Sequence, residues 1–257
     1  LLSPGKRVRP GLVFLTGELF GVAPARLLDP ACAVEMLHAA SLALDDLPSM
    51  DDAPTRRGRP SVHAAFGEDL AILAAVALLA RSFGVLAESG LRAPRHGGVG
   101  QAAALDLVSR LAEACGLLGL ASGQALDLRT EPKDATFDRL ETIHARKTGA
   151  LFVAAAEIGA VLGDAREKEL AAVRSYAKNV GLAFQIVDDL LEKDPEAKLG
   201  KEARRAPAPT FARHVGRAGA KQLVDELTAH AVEALAIFGP KGALLASFAT
   251  MLRDRKS

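Results

Sequence analysis

Apolar residues recur along this chain at three- and four-residue intervals, and no segment of useful length alternates with period two. The pattern predicts a helix over residues 11–20, with Pro10 in its first turn, and a long Ala-rich helix from about residue 29 to the breaker Pro48. Further helices are predicted over 61–80, with 81–88 continuing or following, and over 101–128 with a break near 116–123. Two more cover 136–162 and 166–191, and the chain after 209 reads as two or three helices. Residues 89–100 and the charged, Pro-containing stretch 196–209 read as loops. No fixed-length repeat and no convincing linker divides the chain. The expected fold is therefore all-α: one domain over 1–257, a bundle of about ten or more helices around a central apolar cavity. The apolar run 70–80 is too short to cross a bilayer and is flanked by charge; it is expected to be a buried helix, with no stable membrane insertion.

Composition supports this and narrows the function. Hydrophobic residues make up 49% and charged residues 25%, so the chain is globular with ample core. Aromatic residues are scarce while Ala and Leu abound, which favours close helix packing. A net charge of +1 gives no bulk field for nucleic acid or an anionic membrane, so any anion site must be local. Cys32 and Cys115 lack metal-ligand spacing and are expected to be reduced, buried thiols of a cytoplasmic protein. The abrupt start, with three cations between Gly5 and Pro10, leads to the expectation that an N-terminal helix precedes residue 1.

The chemistry concentrates at the end of the second predicted helix. His38, Ser41 and Asp45 share one helical face, which runs into Asp45-Asp46-Leu-Pro-Ser-Met-Asp51-Asp52 and then Arg56-Arg57-Gly58-Arg59. Four carboxylates so close repel one another unless a cation sits between them, and oxygen-only donors suit Mg²⁺. Acid for a metal beside base for an anion is the composition of a metal–phosphate site. A second cluster, Gln185-Ile-Val-Asp188-Asp189-Leu-Leu-Glu192, places Asp188, Asp189 and Glu192 on one side of a helix end. Facing each other across one cavity, the two clusters could hold Mg²⁺ ions on a diphosphate with a greasy tail. There is no Gly-rich phosphate loop for a nucleotide. Lys147, within apolar sequence, either snorkels to solvent or meets an anion.

These stretches, with Gly5-Lys6-Arg7-Val-Arg9-Pro10, Gly123-Gln124-Ala-Leu-Asp127-Leu, Lys147-Thr148-Gly149 and Phe184-Gln185, resemble the successive signatures of trans-isoprenyl diphosphate synthases, in that family's order and spacing. Ala40-Ser41 ahead of the first Asp pair and Arg-Arg-Gly-Arg-Pro after it are most similar to bacterial geranylgeranyl diphosphate synthases. The resemblance implies that Asp45, Asp51 and Asp188 ligate Mg²⁺, with Asp46, Asp189 and Glu192 completing or supporting the clusters. It implies that Arg56 and Lys147 contact the allylic diphosphate, and that Lys6, Arg9, His38 and Arg57 bind isopentenyl diphosphate. Thr148 and Gln185 would line the reacting centre, while Ala40 and Ser41 would set chain length. A homodimer is expected on the same basis. The reaction implied is condensation of isopentenyl diphosphate with an allylic diphosphate, yielding geranylgeranyl diphosphate.

Three departures from the family's pattern bear on this. The second cluster ends in Glu192 where relatives usually carry Asp. The stretch Arg205-Ala-Pro-Ala-Pro-Thr210 lacks a lysine, for which Lys201 or Lys198 could compensate. Leu44 precedes the first Asp where many relatives carry His. Three alternatives stay open: a farnesyl diphosphate synthase, a terpene cyclase, and a non-catalytic partner subunit. A cyclase would not need the second set of cations, and a silent subunit typically loses acidic ligands that this chain keeps.

Overall fold

The structure is a computed structural model, and it describes residues 5–191 and 210–255. It is all-α. The described residues form helices joined by short turns, and their only strands are a two-residue pair, β1 (Thr55–Arg56) and β2 (Arg59–Pro60). Glu192, Lys198 and Lys201 lie outside the described residues. The chain divides into two compact units, residues 1–112 with 158–165 and residues 113–157 with 166–257.

In the first unit, α1 (Val8–Leu19) and α2 (Pro24–Asp45) are followed by β1 and β2, α3 (Val62–Phe66), α4 (Glu68–Leu91) and most of α5 (Gln101–Cys115). α2 begins at Pro24, earlier than the apolar pattern suggested, because proline at the first helical position forfeits only an N–H that has no partner there. Pro30 then lies inside the helix. Leu27, Ala31, Val34, Leu37 and Ser41 recur every three or four residues and form the buried stripe of α2. On the neighbouring stripe Ala40 and Ala43 meet Ala75 of α4, with Leu44, Val62, Leu78 and Leu79 around them; small residues here let the two helix backbones approach. Residues 158–165 belong to this unit through Gly159, where a side chain would collide with Thr16 and the Val13 carbonyl of α1.

Two expectations are corrected here. α4 is not a buried helix: it runs unbroken through Leu91, and Leu70, Leu73 (62% exposed) and Val76 point outward because none of the described residues covers that side. By length and composition both α2 and α4 are apolar enough to cross a membrane, although half of the qualifying stretch of α2 is buried in the protein. Cys32 is exposed and Cys115 half-buried, both as free thiols; Cys32 falls off the buried stripe of α2.

The second unit holds α6 (Leu120–Arg129), α7 (Phe137–His144), a single π-turn (Ala145–Gly149), the start of α8 (Ala150–Leu162) and α9 (Glu167–Leu191). After the undescribed stretch come α10 (Phe211–His214), α11 (Gly216–Ala234) and α12 (Ala243–Arg253). Thr136 caps α7 by accepting the Arg139 N–H at 3.2 Å. Leu140, Ile186, Val187, Phe211 and Val224 form the core of this unit, and the buried Tyr176 hydroxyl donates to the Leu245 carbonyl at 2.7 Å.

Candidate active site

The acidic end of α2 is folded back on itself by backbone bonds. The Asp51 N–H donates to the Asp45 carbonyl at 2.9 Å, and the Ala53 N–H to the Asp46 carbonyl at 3.1 Å. Asp45 is left half-buried and Asp51 exposed, close enough that both charges act on Arg56. Asp46 has a different task. Its carboxylate is buried and accepts from Arg56 Nε at 2.8 Å and from Arg56 Nη2 at 2.5 Å. Burial pulls the Arg56 pKa down, but the bond and charge of Asp46, backed by Asp45 and Asp51, hold it above its ordinary value. Arg56 is thus pinned by the acidic cluster it adjoins.

The hairpin after the cluster has a two-residue loop, Arg57-Gly58, with φ of 53° and 75°. Positive φ at both central positions is the turn geometry that matches strand twist, and Gly58 takes it without strain. The turn brings Arg57 to Gly5, where any side chain would run into its guanidinium. Arg7 forms an ion pair with Glu35 of α2, and Arg9 Nη1 lies 3.2 Å from His38 Nε2. Burial first, then the charges of Arg9, Arg57, Arg56 and Arg7, lower the His38 pKa to about 2. His38 is therefore a neutral hydrogen-bonding group within a cationic cluster and not one of its cations. Lys6 lies exposed at its edge.

In the second unit the π-turn is the local device that presents two side chains. One extra residue in a helical turn re-aims the side chains after it, and such turns concentrate at functional sites. Gly123 of α6 packs so closely on it that a Cβ would strike the Lys147 backbone. Lys147 Nζ donates to Asp127 Oδ2 at 2.6 Å, so Lys147 is held by Asp127 and does not snorkel out. Thr148 Oγ1 donates to Gln185 Oε1 at 2.8 Å, and Gln185 Nε2 donates to Asp189 Oδ1 at 3.1 Å. Asp188 pairs with Arg255 at 2.8 Å. His144 is buried with neither ring nitrogen bonded; burial first, then Lys147 against an opposing pull from Asp127, lowers its pKa to about 4.

Sequence reasoning noticed Asp127 but gave it no role, and it missed Arg255 altogether. A charge match between Lys147 and Asp127 was the available signal for the first. Nothing in the stretch Arg253-Asp-Arg-Lys distinguishes Arg255 from a solvated cation.

Among the described residues no three acidic, histidine or cysteine side chains converge as a ready-made metal cage. The donors nevertheless fit Mg²⁺, which usually takes one or two carboxylates and completes its shell with water and substrate phosphate. In the first unit Asp45 and Asp51 provide two joined, oxygen-only donors; in the second unit Asp188 is an oxygen donor that is 45% exposed.

The comparisons with known proteins agree with an all-helical protein bearing these motifs. The polyprenyl synthetase family model matches residues 1–205. A chloroplastic geranylgeranyl pyrophosphate synthase of Arabidopsis thaliana (number 11) is 42% identical over 99% of this chain and 72% of its own. The farnesyl diphosphate synthase of Escherichia coli is 46% identical over 78% of this chain and 66% of its own. Among solved structures, an FPP/GFPP synthase from Zymomonas mobilis superposes with a TM-score of 0.83 at 34% identity, over 98% of this chain and 84% of that one. A geranyltransferase from Legionella pneumophila gives 0.84 at 35% identity, over 99% and 84%. The chain belongs to the polyprenyl synthetase family.

Proposed function

We propose that this protein is a short-chain trans-prenyltransferase that condenses isopentenyl diphosphate with an allylic diphosphate and stops at geranylgeranyl diphosphate. The observation that carries the reading is the backbone-joined acidic cluster of Asp45 and Asp51 with an arginine locked beside it by Asp46. Asp45, Asp51 and Asp188 would hold Mg²⁺, which when bound neutralises the allylic diphosphate and makes it a better leaving group. Arg56 and Lys147, each fixed by a carboxylate, orient that diphosphate. Arg9, Arg57 and Lys6 bind the diphosphate of the second substrate through direct charge, with neutral His38 donating or accepting a hydrogen bond among them. The Thr148–Gln185 hydrogen bond supports a role for that pair in lining the reacting centre.

Product length rests on small residues before Asp45. Ala40 and Ser41 leave no bulk one turn ahead of the metal ligands, and several of the most similar relatives are named geranylgeranyl pyrophosphate synthases. The test compares products of the wild type and Ala40→Phe by mass. A shift from twenty to fifteen carbons supports the reading, since the ring fills volume needed by the last isoprene unit. An unchanged distribution from a folded, active variant overturns it. Because Ala40 also packs against Ala75, thermal stability is recorded alongside; overpacking costs about 1–3 kcal/mol.

The outward face of α4 supports a homodimer. Leu70, Leu73 and Val76 form an apolar stripe, with Phe66 ahead of it in α3. A second copy covers it better than lipid does, because Arg81 and Glu88 make an exposed ion pair along the same helix, and charge deep in hydrocarbon is costly.

A further inference from the structure

Just beyond α12, Arg255 is the most enclosed cation associated with the second acidic cluster among the described residues. Its side chain is 8% exposed. Nη2 donates to Asp188 Oδ1 at 2.8 Å and to the Phe184 carbonyl at 2.6 Å, and the guanidinium carbon lies 3.8 Å from the centre of the Phe184 ring. Phe184 and Asp188 are one helical turn apart on α9, so one planar cation clamps a turn of the helix from a distant part of the chain. We propose that Arg255 is a resident counter-cation of the second acidic cluster, occupying Asp188 in the metal-free protein and weakening divalent-ion binding there until substrate diphosphate arrives. The inference rests on the reading of Asp188 as a metal ligand.

The sign is set by what a divalent ion must do at Asp188. If Arg255 leaves, its stack on Phe184 and its bond to that carbonyl are lost, and each of these contacts is favourable. If it stays, the incoming ion shares one carboxylate with a fixed positive charge, and the repulsion scales with the product of two charges and one. Both routes oppose metal binding. Holding the Asp188 side chain in one orientation works the other way, but restoring one short side chain's rotamer freedom is a smaller effect than a nearby unit charge. A diphosphate supplies the negative charge that removes the conflict. Loading of the second cluster is therefore coupled to substrate, whereas the bidentate partner of Arg56 in the first cluster is Asp46.

The experiment measures Mn²⁺ binding to the full chain without substrate, by electron paramagnetic resonance. Arg255→Gln keeps a polar, hydrogen-bonding side chain and removes the charge; it should bind Mn²⁺ about tenfold more tightly than wild type. Arg255→Lys, which keeps the charge, should bind as wild type does. In an Asp188→Asn background the gain from Arg255→Gln should vanish, as a double-mutant cycle requires. Arg255→Met replaces the amide if that variant does not fold, with the same expectation. Unchanged or weaker Mn²⁺ binding on loss of the charge overturns the inference while leaving Asp188 as a ligand. If Asp188→Asn in the Arg255→Gln background leaves the tightened Mn²⁺ binding unaltered, the assignment of Asp188 fails, and the inference fails with it.

Discussion

Neighbouring carboxylates in this protein do different work, and Asp45 and Asp46 separate most sharply. Asp46 is buried against Arg56, so Asp46→Ala strands a guanidinium and should lower stability by about 1–2 kcal/mol, discounted because Arg56 is about a third exposed. Asp45→Ala removes one of several mutually repelling charges, so apo stability should hold or rise while Mg²⁺-dependent turnover is lost. Thermal melts of the two variants check this: equal destabilisation would contradict the division. The histidines give a pH prediction. His38 and His144 are neutral in the fold, with pKa values lowered to about 2 and about 4 from 6.5, so the unfolded chain binds more protons below pH 6.5. Stability contributed by keeping them neutral is full above that pH and is lost as pH falls. For His144 the loss runs from 6.5 to about 4, on the order of 1 kcal/mol per pH unit. His144→Phe should flatten the melting temperature against pH over that window; a slope identical to wild type would count against it. Much at this scale was not legible in the sequence. The resemblance separates Asp45 as a ligand from Asp46 as a supporting residue, but the physical reason, the hairpin that returns Arg56 to Asp46, leaves no local pattern.

Two elements carry consequences of their own. Gly123 lies inside α6, where alanine would ordinarily favour the helix by about 1 kcal/mol. Here its Cβ would press on the Lys147 backbone, so the steric cost wins. Gly123→Ala should destabilise the protein and lower kcat more than it raises KM, because Lys147 and Thr148 both ride on the displaced π-turn. A stabilised, fully active variant would contradict that account. α4 was visible as a helix from its period, but its exposure was not. An apolar run has the same appearance whether its own chain or another molecule covers it. Leu73→Asp should convert a dimer to monomer without unfolding it, as read by light scattering behind size exclusion; a dimer retained would remove α4 from the interface. The break between α5 and α6 was legible from its glycines, whereas the π-turn was not, since one inserted residue leaves the apolar period almost unchanged.

For the molecule as a whole, the all-helical class was legible because Ala and Leu at helical spacing leave no strand alternative, and the family because five motifs stand in one order. Arg255 was not, since long-range pairing leaves no local pattern. The near-neutral composition excludes a bulk electrostatic reading and throws the function onto local charge. The central claim is that these acidic and basic clusters perform metal-dependent prenyl transfer. The direct measurement incubates the purified protein with isopentenyl diphosphate and, separately, dimethylallyl, geranyl and farnesyl diphosphates, with Mg²⁺ or with a chelator, and reads product length by mass. The account predicts elongation of every primer to geranylgeranyl diphosphate with Mg²⁺ and none with the chelator. Turnover that survives the chelator, cyclised hydrocarbon in place of a longer diphosphate, or no elongation by the folded protein would contradict it.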